Sequence, residues 1–254
     1  MKRAFLLIAQ LFAAGLSGAA GAEVSVPLLQ PNNPSISCEK LLPYEHAWSW
    51  RTVMPDGSIR PQGIWSDHLD ATTQEGRQIW RRVQGMTYLT GASRTDVLLF
   101  DRASCAPIMS EQHRLNGVVL KHMFTNGQVT AERTEPPAPM RSTSAAMEAV
   151  PFDFLNGEDG PLLAVLPLSV GYRAQLLSAQ DLPVGDGTTQ IAIHVAREET
   201  ISGGRMGPVR TFVVESPLPS GEGVQTFYIS PKPPYFIRLE VALADHRRWV
   251  FDQI

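Results

Sequence analysis

Long apolar runs are scarce in this 254-residue chain, and the one present opens it, from Ala4 to Leu16. Nothing later approaches the ~20 consecutive apolar residues that a membrane-crossing helix needs, so no span is expected beyond the start. Blocks of like charge are missing too. The 22 basic and 25 acidic residues are scattered, for a formal charge of −3. Phosphate backbones are bound by concentrated basic surface, so nucleic acid is not an expected partner. Cysteine is reduced to Cys38 and Cys105. Neither belongs to a CxxC, and no histidine stands at metal-ligand spacing from them, which argues against a zinc site.

The signatures of catalysis are absent as well. The six histidines (46, 68, 113, 122, 194 and 246) form no H-x-H and no HExxH. There is no G-x-S-x-G elbow, and Gly185-Asp186-Gly187 has no helix after it to make a phosphate cradle. Ser37-Cys38-Glu39-Lys40 matches S-x-x-K, but it lies in a proline-rich stretch with no S-D-N or K-T-G downstream, so the match is coincidental. His68 with Asp67 and Asp70 is the least ordinary cluster. On a strand His68 and Asp70 share one face, while Asp67 and Leu69 share the other. Such a dyad has no nucleophile. The chain is therefore expected to be a non-enzyme, with no catalytic residue, metal ligand or cofactor.

What is present begins with Met1-Lys2-Arg3, an apolar stretch, and Ala20-Gly21-Ala22. A basic start, a short apolar run and an A-x-A end are the layout of a secretory signal peptide over residues 1–22, cleaved after Ala22. The alternative is an uncleaved anchor. Glu23 rather than Cys follows the junction, so a lipid anchor is not expected there. The expected product is soluble and periplasmic, and loss of Lys2 and Arg3 takes the charge from −3 to −5. In an oxidising compartment Cys38 and Cys105 read as a disulfide, with free thiols or a metal pair as the alternatives. Closing so long a loop contributes roughly 4 kcal/mol in the chain-entropy picture.

Residues 23–43 carry Pro27, Pro31, Pro34 and Pro43 and read as an extended arm. From Tyr44 to Ile254 the texture is that of one β domain. Tyr44–Val53 alternates with period two and sets Trp48 and Trp50 on one face. Similar runs follow at 63–72, 77–83, 96–100, 108–115 and 118–124. Asn126-Gly127 signals a tight hairpin into 128–133. Residues 134–146 read as a connection, and 151–155 as a brief pairing. Asp159–Leu166 is the single helix, with Asp159 or Gly160 as cap, Pro161 in its first turn and Pro167 ending it. Strands resume at 171–177, 189–201, 208–215, 224–229 and 235–243, with a short one at 249–251. The expected fold is mainly β: about a dozen strands in one large curved antiparallel sheet or half-barrel, wrapped on a short helix.

The second half also has a recognisable layout. Val150-Pro151-Phe152-Asp153-Phe154 precedes the helix, and Leu166-Pro167-Leu168-Ser169-Val170-Gly171-Tyr172 turns into a strand. Thr226-Phe227-Tyr228-Ile229-Ser230 and Tyr235-Phe236-Ile237-Arg238-Leu239-Glu240 close it. This resembles the DUF3108-like group of exported bacterial proteins of unknown function over about residues 150–243, with a weaker echo over 44–133. Tyr228 stands where that group usually has Trp. The resemblance implies a half-barrel similar to the lipoprotein-carrier architecture, and it implies no catalytic residue.

A sheet this large with one short helix is expected to leave its concave face incompletely filled. Trp48, Trp50, Trp65, Trp80, Phe152, Phe154 and Phe227 are then candidates to line a site for an apolar or amphiphilic ligand, such as the acyl chain of a lipid or lipoprotein. For any one of them, core packing is the competing reading. The competing function is an envelope interaction or scaffold module with a solid core.

Overall fold

The computed structural model describes residues 26–125, 127–147, 149–154, 158–179, 188–218 and 220–254. The proposed signal peptide, Asn126 and the Gly185-Asp186-Gly187 turn lie outside the described residues. The period-two stretches are strands. In chain order they are β1 (Leu28–Leu29), β2 (Tyr44–Val53), β3 (Ile59–Gln74), β4 (Arg77–Tyr88), β5 (Ser93–Asp101), β6 (Pro107–His113), β7 (Val119–Thr125), β8 (Gln128–Glu135) and β9 (Ala138–Ala146). The helix α1 (Asp159–Val165) follows. Then come β10 (Arg173–Ala179), β11 (Thr188–Ser202), β12 (Pro208–Pro217), β13 (Gly223–Ile229), β14 (Phe236–Leu243) and β15 (Arg248–Gln253).

All fifteen strands belong to one sheet, in the order β1-β10-β11-β12-β13-β14-β15-β2-β3-β4-β5-β6-β7-β8-β9. It consists of two up-and-down meanders, β10–β15 and β2–β9. The last strand joins them: β15 pairs with β2, which sets Phe251 opposite Trp50 and Gln253 opposite Trp48. The sheet is open and strongly curved. Ala179 at the end of β10 packs with Phe124 and Val129 of β7 and β8, so the far sides of the two meanders approach each other.

Alternation decides the inside. Along β3, Gly63, Trp65, Asp67 and Leu69 are buried, whereas Ile64 and Ser66 are exposed. Gly63 is required there, because a Cβ would meet the Thr87 carbonyl oxygen at 2.1 Å across the β3–β4 pair. Helix α1 lies in the hollow and buries Leu162 and Leu163 completely. It stops because Leu166, preceding Pro167, is forced to extended backbone (φ −70°, ψ 153°).

Three expectations need correction. Residues 134–146 are not a connection: β8 runs on to Glu135 and β9 fills 138–146. An edge strand with both faces in water has no buried parity, so period two does not reveal it. The arm is more than an extended lead-in. It contributes β1, parallel to β10, and a 3-10 turn at Cys38–Lys40, and it buries Leu29, Ile36 and Leu41. A two-residue pairing leaves no period to read. Neither Asp159 nor Gly160 caps the helix. Glu158 is the N-cap residue and makes no side-chain cap bond, since its carboxylate is turned elsewhere.

The cysteines are joined. Cys38 and Cys105 form a disulfide with Cα atoms 5.3 Å apart, both fully buried. It ties the arm to the turn between β5 and β6. The Trp80 indole N–H donates to the Cys38 carbonyl (2.9 Å) and the Asn32 N–H to the Ser104 carbonyl (3.2 Å), so the tie is reinforced on both sides.

Candidate functional site

The concave face carries charge where the strands' parity calls for apolar residues. In β3 the buried series reads Trp65, Asp67, Leu69; in β4 it reads Trp80, Arg82, Gln84. Arg82 and Asp67 are therefore aimed inward by the same alternation that buries the tryptophans. The Arg82 guanidinium forks onto Asp67, with Nε donating to Oδ1 at 2.9 Å and Nη2 to Oδ2. Its Nη1 donates to Asp159 on α1 at 2.9 Å. The Tyr44 hydroxyl donates to Asp67 Oδ2 at 2.9 Å. Helix α1 reaches this cation because Gly160 packs against Phe236 and Arg82, where a Cβ would lie 3.3 and 3.5 Å from their nearest atoms.

Burial sets the proton affinities here. Desolvation alone would lower Arg82, but Asp67 and Tyr44 outweigh it and hold the guanidinium charged, well above its ordinary value. Burial pushes Tyr44 up; Arg82 resists and Asp67 reinforces the rise. Glu158 is fully buried beside Asp153 and accepts the Asp153 N–H at 2.7 Å, while its other oxygen has no hydrogen-bond partner. Burial drives this carboxyl well above the usual range; the Asp153 N–H opposes that and the Asp153 charge adds to it.

The polar character continues sideways in register. Cα partners across β2 to β9 give one row on the inner face: His46, Asp67, Gln84, Asp96, Gln112, Leu120, Arg133 and Arg141. Arg94 donates to Asp96 (2.9 Å) and leans on Gln112 (3.4 Å), whose carbonyl also takes Arg114 (3.2 and 3.3 Å). Burial raises Asp96 against the pull of Arg94. At the other end Gln253 bonds His46 at 2.7 Å, and burial lowers that histidine although Asp67 opposes the shift. These groups hold charge and fix strands.

One nucleophile and base do meet: Ser110 and His122, Cα partners on β6 and β7, lie 3.4 Å apart. Both are buried, at 1% and 3% exposure, which denies a substrate access to the hydroxyl. Among the described residues no group of three His, Cys, Asp or Glu is placed to hold a metal ion. Nor is any helix among them long and apolar enough to cross a membrane.

The seven aromatic candidates are placed as follows. Trp48, Trp65, Trp80, Phe152, Phe154 and Phe227 are buried in the main core, and Trp50 is half-buried at its margin, stacked on Phe251. Four of them pack ring on ring or on Phe236: Trp48 on Trp65 at 4.8 Å, Trp65 on Phe236 at 5.0 Å, and Phe154 on Phe227 at 6.0 Å. Three clefts lie away from them. One of about 260 Å³ sits where the two meanders approach, lined by Ile108, Phe124, Val129, Met147 and Val150 with Arg77 beside it. One of about 310 Å³ lies along β10 to β13 beside Val26. The third, about 450 Å³, lies beside His46, Arg205 and Gln253. None of the seven aromatics lines any of them.

The His68 cluster is divided by the sheet. Asp67 faces in, onto Arg82 and Tyr44. His68 is 45% exposed and faces Asp70 (3.5 Å) on the outside. The sequence did not single out Arg82, Tyr44 or Glu158, and it marked Asp159 only as a candidate helix cap. The available signal was a charge at an inward parity position, Trp80-Arg81-Arg82 against Trp65-Ser66-Asp67.

A family model described as a protein of unknown function, DUF3108, matches residues 67–247. The chain belongs to this family. The match begins well before residue 150 and takes in most of both meanders, including Asp67, Arg82, Cys105, Glu158 and Asp159. Tyr44, Cys38 and β15 lie outside it. No curated protein sequence matches the chain.

Proposed function

We propose that the chain is exported by its N-terminal signal, loses residues 1–22, and serves in the periplasm as a non-catalytic interaction module with a packed core. The observation that carries this reading is the filling of the concave side. The arm, α1 and the aromatic cluster around Phe236 occupy the hollow where a ligand would sit, and six of the seven candidate aromatics are buried in that core. The buried disulfide suits an oxidising compartment. The test is fractionation with N-terminal sequencing, then crosslinking in cells and capture. The expected result is a periplasmic chain beginning at Glu23 with one reproducible partner. A cytoplasmic chain, or no partner after crosslinking, overturns the reading.

A second reading keeps an apolar or amphiphilic ligand, moved from the core to the cleft of about 260 Å³ beside Phe124, Val129 and Met147. Its support is a mainly apolar wall with one cation, Arg77, beside it. Lipid extraction of protein purified from the periplasm decides it: a stoichiometric acyl chain upholds it, and lipid-free protein that binds no fluorescent fatty acid rejects it.

A further inference from the structure

The sheet has two edges, and they are treated differently. On the β10 side the edge is covered. Strand β1 pairs at Gln175 and Leu176, and Phe152 bridges to Ser178. On the other side β9 is the terminal strand, nine residues long and exposed along almost its whole length. That leaves roughly 30 Å of backbone donors and acceptors with no neighbouring strand among the described residues. Natural edges are usually blunted by proline, charge or bulges. Here Pro139 and Arg141 stand near the start of the strand, and Ser142-Thr143-Ser144-Ala145-Ala146 carries neither proline nor charge. Its only register irregularity lies near the turn, opposite Arg133/Glu135. Small side chains on both faces leave room for those of an added strand.

The charge pattern selects the occupant. Arg141 is the direct Cα partner of Arg133, and like charges set directly opposite repel. Arg133 is neutralised by Glu135 at 3.0 Å. Arg141 is exposed and makes no ion pair among the described residues. It is the outermost member of the inner-face row, so the next position in register belongs to whatever lies beside β9. A second copy of β9 would bring another arginine and no carboxylate, because 138–146 contains no acidic residue.

We infer that the free edge of β9 takes an extended peptide segment of a partner protein as an added strand, with an aspartate or glutamate of that segment beside Arg141. This rests on the interaction-module reading and names its surface and partner chemistry. Backbone pairing supplies the affinity, and the acidic side chain sets the register.

Random ten-residue peptides displayed on phage, selected against the full exported chain with its disulfide intact, test it. The expected winners carry β-branched residues around one acidic position. A fluorescent copy should bind R141E at least tenfold more weakly than wild type, with R141Q between them, and changing the peptide's acid to lysine should restore binding to R141E. Amide exchange across 141–146 should slow when the peptide is bound. Selection that yields no binder, winners without an acid, or equal binding to R141E overturns the inference. So does an Arg141-dependent affinity for phosphatidylglycerol vesicles without peptide binding, or self-association of the chain through β9. If a native partner is captured equally well by R141E, the edge inference fails while the module reading stands. If acidic peptides bind as expected and no native partner is captured, the reverse holds.

Discussion

Replacing Arg82 by methionine is the sharpest test of how this fold is held. The guanidinium is fully buried and bridges Asp67 on β3 and Asp159 on α1, so one side chain ties the helix to the sheet. Methionine keeps the length and removes the charge. Asp67, itself buried at 1% exposure, then keeps the Tyr44 hydroxyl as its side-chain partner among the described residues. Breaking a buried pair by removing one partner costs about 3–5 kcal/mol, because the remaining charge is uncompensated. That is a large share of a typical stability of about 5–15 kcal/mol. With a urea m-value of about 3 kcal/mol/M, the midpoint should fall by about 1–1.7 M. Tryptophan fluorescence reports it, since Trp48, Trp65 and Trp80 are all in the core. The double variant D67N/R82M should recover much of the loss, as Asp159 is partly exposed and can be hydrated. A midpoint shift under 0.3 M (about 1 kcal/mol at that slope), or strict additivity in the double variant, would refute the reasoning.

Further outcomes follow from the same geometry. Glu158→Gln keeps the shape of a protonated carboxyl. The folded chain raises the Glu158 pKa above its unfolded value of about 4.3, so wild type loses stability as pH rises from there towards the folded value. The advantage of the glutamine variant should therefore grow as pH rises above about 4.5 in paired thermal melts; a constant difference counts against a strained Glu158. Denatured, unreduced protein should label no thiol, and Cys38→Ser/Cys105→Ser should lose up to about 4 kcal/mol in urea titration and expose the arm to proteases. Phe236→Ala removes the ring that Trp48, Trp65 and Phe227 share, and should cost about 3–5 kcal/mol; a loss under 1 kcal/mol would mean the hollow is not packed as described.

Much of the fold is legible along the chain because a half-buried strand writes its parity locally. Tyr44–Val53 is recognisable from its own ten residues, and Pro161 and Pro167 bracket the helix for reasons internal to it. The two strands that escaped notice, β1 and β9, lack that parity. One is two residues long and the other has water on both faces. The Asp67–His68–Asp70 cluster shows the same limit in the site. Parity separates Asp67 from His68, but it cannot say that Asp67 finds Arg82 and Tyr44 inside. The aromatics show it again: Trp48 and Phe227 were recognisable as candidates for the concave face, and whether they border a space or fill it depends on what lies opposite.

By itself the sequence determined a mainly β chain with one short helix, which residues share a face where the alternation is clear, as Trp48 and Trp50 in Tyr44–Val53, and a single disulfide candidate. These follow from backbone geometry and residue chemistry acting over a few positions. Tertiary structure alone decided that β15 closes onto β2, that the hollow is filled by the arm and α1, and that Arg82 meets an aspartate 77 positions away. Such pairings depend on how the whole sheet curls to bury its aromatic face, and no local pattern carries that information.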